Sequence, residues 1–323
     1  MKRKLLEILA CPKCKGELTN SVEGDEIIEG ELRCAGCDAS YAVTNGIPRF
    51  VPADNYAASF GYQWNRFRRE QIDSYNGTTL SADRLWNETG WKPADLAGKW
   101  VLDAGCGAGR FLDAASVSEG EIVGVDISSA IDAAQDNLAG RENVHFVQAS
   151  IYELPFREGT FDCCYCIGVI QHTPDTGASL RSIADVVKPG GSLAVTIYPR
   201  KPWTKLFSKY WFRPVTKRLK KETLLRVIET VMPVAFPVTD VLFRLPVVGR
   251  AFMFAIPVAN YVHERQLTRE QRYAWAVLDT FDMLSPYYDQ PMTESEAAAA
   301  LAAGGVKARR TGQNGLNLVG EKR

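Results

Sequence analysis

The sequence has no uninterrupted apolar run approaching the roughly 18 residues of a membrane span, so no transmembrane segment is expected. It has no G-K-[ST] after its one dense glycine turn, which excludes a Walker phosphate loop. It has no net charge: 38 Lys plus Arg face 38 Asp plus Glu, so the whole chain favours no particular partner. No lipoprotein leader is expected either, because Glu7 interrupts the short apolar stretch before Cys11. Acids are missing locally: residues 200–221 carry nine bases and no acid, whereas 100–199 carry 13 acids and 5 bases. Such a split can mark a surface for an anionic partner. A composition of 46% hydrophobic and 24% charged residues excludes a mostly disordered chain. At 323 residues, more than one core usually serves, a main domain with a smaller unit is expected.

Eight cysteines in a chain this long do not form a disulfide scaffold. Four fall into two pairs, Cys11-Pro-Lys-Cys14 and Cys34-Ala-Gly-Cys37. Each pair puts two thiolates on a tight knuckle, and four soft thiolates in a tetrahedron suit a closed structural zinc site. A redox role would need one pair beside a βαβ unit, and a chance arrangement is the other alternative. Reduced thiols of this kind predict a cytoplasmic protein. The stretch from Leu5 to Pro48 resembles the Trm112-like zinc ribbons, small partners of methyltransferases. Pro48, Pro52 and the polar 53–55 read as the exit linker.

From Lys99 the pattern alternates. Trp100–Ala104, Glu121–Asp126, Val144–Gln148, Phe161–Ile167 and Ser192–Tyr198 read as strands, with helical stretches between them. That order predicts an α/β fold with a doubly wound, mostly parallel sheet. Gly105-Cys-Gly-Ala-Gly109 follows the first strand and opens a helix, the parts of a nucleotide cradle. Asp126 ends the second strand, where an acid suits ribose hydroxyls. Arg110 stands where a dinucleotide fingerprint wants a small residue. The set Val101–Arg110, Val123–Ser128, Leu154-Pro-Phe156 with Phe161-Asp162, and Val187–Gly191 resembles the ordered motifs of class I S-adenosylmethionine-dependent methyltransferases, type 11-like.

The resemblance implies a Rossmann-like core and two bound groups, S-adenosyl-L-methionine and a structural Zn2+. It implies that Asp103 and Gly105 hold the methionine end, and that Cys106, Gly107 and Gly109 let the cofactor lie on the backbone. Asp126 would bind the ribose, Ile127 would pack on adenine, and Ser150 and Ile151 would occupy the adenine clamp, with Ser150 replacing the family's acid. Ile167 to Ile170 would line the methyl-transfer side. His172 lies just beyond the fourth strand and reads as a general base or as a packing residue. Cys163, Cys164 and Cys166 read as small buried hydrophobes or, alternatively, a second metal site.

The expected domains are a zinc ribbon over 1–52, a linker and lid helices over 53–97, and a methyltransferase core over 98–323. A helical substrate cap is inserted at about 200–290, far longer than an ordinary connection. Ser59–Phe67 reads as a lid, with Tyr62, Gln63 and Trp64 near the cofactor, or as a packed helix. The basic, aromatic 200–221 reads as a membrane-surface helix, an RNA contact or a solvated cap face. The apolar, proline-broken 231–262 reads as buried cap helices or an apolar pocket, and Leu278–Asp289 as the return to the core and an acceptor contact. The expected function is methyl transfer to a small-molecule, glycan or lipid-linked acceptor. An RNA methyltransferase and an inactive binding module are the alternatives, the latter opposed by the intact Asp103, glycine turn and Asp126.

Overall fold

A computed structural model describes residues 1–52, 55–312 and 315–323. Two residues of the expected exit linker, Ala53 and Asp54, lie outside the described residues.

The N-terminal unit opens with helix α1 (Arg3–Ile8), followed by a small antiparallel sheet of β1 (Leu18–Thr19), β2 (Gly30–Cys34), β3 (Ser40–Thr44) and β4 (Ile47–Pro48). It does not stand apart. Leu5, Leu9, Ile27 and Leu32 belong to the same buried cluster as Val147 and Phe156 of the main domain. The Ala10 N–H donates to the Pro155 carbonyl at 2.8 Å, Lys15 Nζ to the Leu154 carbonyl at 2.7 Å, and the Phe50 N–H to the Gln148 carbonyl at 2.8 Å. Arg49 pairs with Asp132 at 2.5 Å. A fifty-residue unit buries little apolar surface alone, so sharing a core with its neighbour supplies what its own size cannot.

Helices α2 (Ala58–Arg66), α3 (Asp73–Asn76) and α4 (Leu80–Thr89) lead into the main sheet. Its elements alternate: β5 (Trp100–Ala104), α5 (Arg110–Ala115), β6 (Glu121–Asp126), α6 (Ala130–Asn137), β7 (Val144–Gln148), β8 (Phe161–Ile167), α7 (Thr176–Asp185) and β9 (Val187–Ile197). The cap follows as α8 (Lys209–Thr216), α9 (Lys221–Leu242), α10 (Gly249–Ala255) and α11 (Arg269–Leu284). The chain closes with α12 (Glu294–Ala303), β10 (Val306–Thr311) and β11 (Leu316–Lys322). The seven-stranded order is β10-β11-β9-β8-β5-β6-β7; β5 to β9 run parallel, and β10 and β11 run antiparallel at one edge. The parallel strands are nearly continuous apolar runs because helices cover both faces. Cys163, Cys164 and Cys166 are buried on β8, and the four-thiol metal cluster found elsewhere does not include them.

The sheet is the α/β core that the sequence predicts, and four parallel strands fall on the expected residues. The fifth differs. β9 begins at Val187, not Ser192, and its ladder with β8 breaks at Phe161 and Cys163, so that Pro189-Gly-Gly191 forms an irregularity inside one strand. Proline lacks a ladder N–H, which makes such a position natural for it.

The cap departs further. α9 is one helix of 22 residues that runs through Pro233 and Pro237. Both prolines are exposed, where a lost N–H is least harmful. One face, with Leu224, Ile228, Met232 and Phe236, packs on Ala276, Val277 and Phe281 of α11. The expectation of buried helices over 231–262 therefore holds for one face only; Val231, Val234, Val238 and Val241 are exposed. No helix among the described residues is long and apolar enough to cross a membrane.

Candidate active site and metal centre

Cys11 and Cys14 lie on the turn after α1, Cys34 ends β2, and Cys37 lies on the turn before β3. The folded chain brings the four sulfurs within 4.8 Å of one another. Cys11 Sγ is 3.6 Å from Cys37 Sγ, and Cys14 Sγ is 3.3 Å from Cys34 Sγ. A zinc ion at about 2.3 Å from each ligand needs sulfur pairs about 3.8 Å apart, so the set fits with small adjustments. The N–H groups of Gly16 and Gly36 donate to Cys14 and Cys34 at 3.4 and 3.3 Å, and the Tyr41 hydroxyl lies 3.3 Å from Cys11 Sγ. These neighbours suit thiolates. Four protein ligands leave no open position, so the site is structural.

The second site forms at the carboxyl ends of β5 and β6, where an open α/β sheet places its crevice. A cavity of about 650 Å3 opens there. Gly105 turns the chain at φ +89°, and a Cβ on it would lie 2.5 Å from Val169, so both backbone and space require glycine. Gly107 (φ +54°) lies against the Trp64 indole, whose Nε1 would be 3.2 Å from an added Cβ. Asp126 is tied down before any ligand arrives: Oδ2 accepts the Gly107 N–H at 2.9 Å, and Oδ1 accepts the Ser128 N–H and hydroxyl at 2.8 and 2.7 Å. Burial pushes its pKa up, against these three bonds.

Of the residues expected to contact a cofactor, Gly105, Cys106, Gly107, Asp126, Ile127, Ile151 and Ile167 line the cavity, as does His172. Three stand behind the wall. Asp103 is 1% exposed and lies beside the Tyr165 side chain; burial raises its pKa, against Tyr165 and together with the nearby Asp126. Gly109 begins α5, close to Leu138 and Ala134. Ser150 caps the turn at Ile151–Glu153, accepting the Tyr152 N–H at 3.2 Å, and Ala149 lines the wall beside it. The crowded glycine turn and the anchored Asp126 carboxylate fit a compact nucleoside.

Of Tyr62, Gln63 and Trp64, read as a lid, one lines the cavity. Trp64 and Phe60 of α2 line the cavity, whereas Tyr62 packs on Phe281 at 6.0 Å between ring centres. Gln63 is buried and donates to Asp282 at 3.3 Å.

His172 ends a short 3-10 turn at Ile170–His172. Its ring lies 5.2 Å from Phe60 and 5.6 Å from Tyr198. Nδ1 lies 3.0 Å from the Tyr288 carbonyl, which can only accept, so Nδ1 carries the proton and Nε2 is left as an acceptor. Burial lowers its pKa, offset in part by Asp282 and Asp289. The ring is therefore neutral and basic at Nε2 near neutral pH.

The opposite wall comes from the cap. Asp279 and Asp282, one turn apart on α11, both face the cavity. Gln71 Nε2 donates to Asp279 at 3.3 Å, and burial followed by Asp282 pushes the Asp279 pKa up to about 7, against Arg110 and Arg84. The Arg110 guanidinium is bound to Ser81 Oγ and Gln71 Oε1, both at 2.9 Å, and burial pulls its pKa down to about 10. Lys209 pairs with Asp289 at 2.6 Å. The sequence points to acids in 278–289 but not to Arg84, Arg110, Gln71, Tyr198 or Lys209 as wall residues. A visible signal was Arg110 itself: a cation at the amino end of a helix opposes the helix dipole and needs partners elsewhere.

A cleft at the carboxyl ends of a doubly wound sheet, with a glycine turn and an acid on the next strand, defines the nucleotide-binding α/β class. Residues 102–195 match the family model for a methyltransferase domain, and residues 2–46 match that for Trm112p-like protein. The methyltransferase-like segment is therefore preceded by a Trm112p-like one. A ubiquinone biosynthesis O-methyltransferase of Acinetobacter baumannii (strain AYE) is 30% identical over 135 residues, covering 40% of this chain and 56% of that protein. The O-methyltransferase rstn1 of Aspergillus nomiae is 31% identical over 121 residues, covering 36% and 54%. The chain spans about half the length of the curated relatives it matches. Among solved structures, a complex containing the Trm112 methyltransferase activator of Haloferax volcanii aligns over 81% of this chain and 96% of that one, at 13% identity and a TM-score of 0.45.

Proposed function

We propose that the protein transfers a methyl group from S-adenosylmethionine to an oxygen of a small or lipid-linked acceptor held between His172 and the cap. S-adenosylmethionine, when bound, supplies an electrophilic methyl on its sulfonium. The glycine turn and Asp126 would hold the nucleoside, and Ile127, Ala149 and Ile151, which line the cavity, would give the adenine an apolar bed. Phe60, Trp64 and Trp275 help to exclude water. His172 Nε2 would accept the acceptor's hydroxyl proton and pass it to solvent, while S-adenosylmethionine would supply the methyl to that oxygen. Holding acceptor and methyl in line is the larger contribution, because the methyl is already activated.

The observation that carries this reading is one cavity bounded by the glycine turn and Asp126, by His172, and by Asp279 and Asp282 of the cap. The test incubates the full chain with methyl-labelled S-adenosylmethionine and three acceptor pools: small phenols, a lipid extract and RNA. Label in the phenol or lipid pool supports the reading. Label in RNA alone, or in none of the pools, rejects it.

A further inference from the structure

Apolar side chains on the cap face outward as well as inward. Among the described residues, nineteen large hydrophobics are exposed, and fifteen of them fall between Trp203 and Met253. They are not scattered. Val227, Val231, Val234, Val238 and Val241 recur on α9 at alternating steps of four and three residues, which sets them in one stripe. Val234 is 69% exposed. The other side of the same helix already packs on α11, so α9 is apolar on two faces. A water-facing helix normally has a polar outer face. A second exposed apolar patch lies on α8 and α10. The Phe207 and Phe254 rings meet at 4.2 Å, and the Ser208 N–H donates to the Phe254 carbonyl at 3.1 Å, joining the start of α8 to α10, the helix after α9. Trp211, 63% exposed, lies one turn on from Phe207.

We infer that this outer face of the cap docks on the surface of an anionic phospholipid bilayer. Charge chooses the occupant. Residues 200–250 carry 12 bases and 3 acids. Two of those acids are already paired, Glu229 with Arg66 and Asp240 with Arg272. Lys205, Lys220, Arg226 and Arg250 are exposed and form no ion pair among the described residues. A symmetric pair of copies would set this basic surface against itself. A nucleic acid would use the bases and aromatics but gives a row of valines nothing to pack on, because valine cannot stack. Bilayer headgroups and the adjoining acyl region match all three features: bases to phosphates, tryptophan to the interface, valines to the hydrocarbon edge. The surface reaches well beyond the basic segment 200–221, and its centre is α9. Lys209 and Ala259, on the segments flanking this surface, also line the cavity, which favours a bilayer-embedded acceptor. That last step rests on the methyl-transfer reading; the docking surface does not.

The test is co-sedimentation of the full chain with vesicles of phosphatidylcholine alone or with added phosphatidylglycerol. It compares wild type, the double variant Val231→Asp/Val234→Asp, and Trp211→Glu. All three positions are exposed, and unchanged thermal melting and zinc content check the fold. Wild type is expected to bind the phosphatidylglycerol vesicles, more weakly at high salt, and each variant to bind about tenfold less. No binding to anionic vesicles at low salt, or undiminished binding by both variants, overturns the inference. So does a stable dimer dissolved by the same substitutions, or salt-sensitive RNA binding without vesicle binding. Vesicle binding with no affinity for S-adenosylmethionine upholds the surface and removes only the acceptor class.

Discussion

His172 Nδ1 donates to the carbonyl oxygen of Tyr288 across 3.0 Å, linking the loop after the fourth parallel strand to the segment that returns from the cap. One bond thus fixes the ring's tautomer and ties the sheet side of the cavity to the segment after α11. His172→Ala should lower kcat by about 10²- to 10⁴-fold if Nε2 takes the acceptor proton. A bound cofactor should still give its full binding heat in this variant. Unchanged kcat would exclude the base role.

The pH dependence follows from the same ring. Burial lowers the His172 pKa, so the neutral, basic form persists below the ordinary value near 6.5. The His172 contribution to the rate should therefore rise with pH through a limb below about 6.5. Stability has the same sign: the unfolded ring binds a proton first, so this residue's contribution is present above the unfolded value and is lost as pH falls from there through the lowered folded value. A pH–rate profile of wild type and His172→Ala checks the first statement, since the limb should vanish in the variant.

Asp279 has the opposite sign. Its pKa is pushed up to about 7, so its buried carboxyl is tolerated when protonated and opposes folding when ionised. Its contribution is present near pH 4 and is lost as pH rises through about 7. Asp279→Asn should melt higher than wild type at pH 8, and the difference should shrink towards pH 5. A difference independent of pH would contradict this assignment.

Much of the cradle was legible because it is contiguous. The glycine turn, Asp126 and the cysteine pairs each sit in a short window, and local chemistry dictates their form. The cap was less legible. Prolines at 233 and 237 signal breaks in a sequence, yet α9 passes through them because both lie on the solvent side. Apolar density signalled burial, whereas a row of valines faces out. Asp103 reads as a wall residue from its motif but stands one layer behind, and Arg110 reads as an oddity of the turn but reaches Gln71 and Ser81 in the cavity wall. Such placements depend on helices that are distant in sequence.

Metal removal should reach the core. Leu5, Leu9 and Ile27 share a buried cluster with Phe156, so loosening the ribbon exposes apolar surface of the main domain. Wild type should hold one zinc per chain, Cys34→Ser should lose it, and the main thermal transition should fall by several degrees. Equal metal content in the two proteins would contradict the zinc assignment.

Gly105→Ala should destabilise the chain by about 2 kcal/mol or more, because it meets both a left-handed backbone (φ +89°) and Val169 at 2.5 Å. Thermal unfolding would check the value. A stable variant that retains cofactor affinity would show that the turn can move.

The account depends on the cradle formed by Gly105, Gly107 and Asp126, and isothermal titration of the full chain with S-adenosylmethionine tests it most directly. One site per chain is predicted, with affinity falling about 10- to 100-fold in Asp126→Ala as charge-assisted hydrogen bonds are lost. Absence of binding heat in the wild-type protein, or equal affinity in the variant, would contradict it.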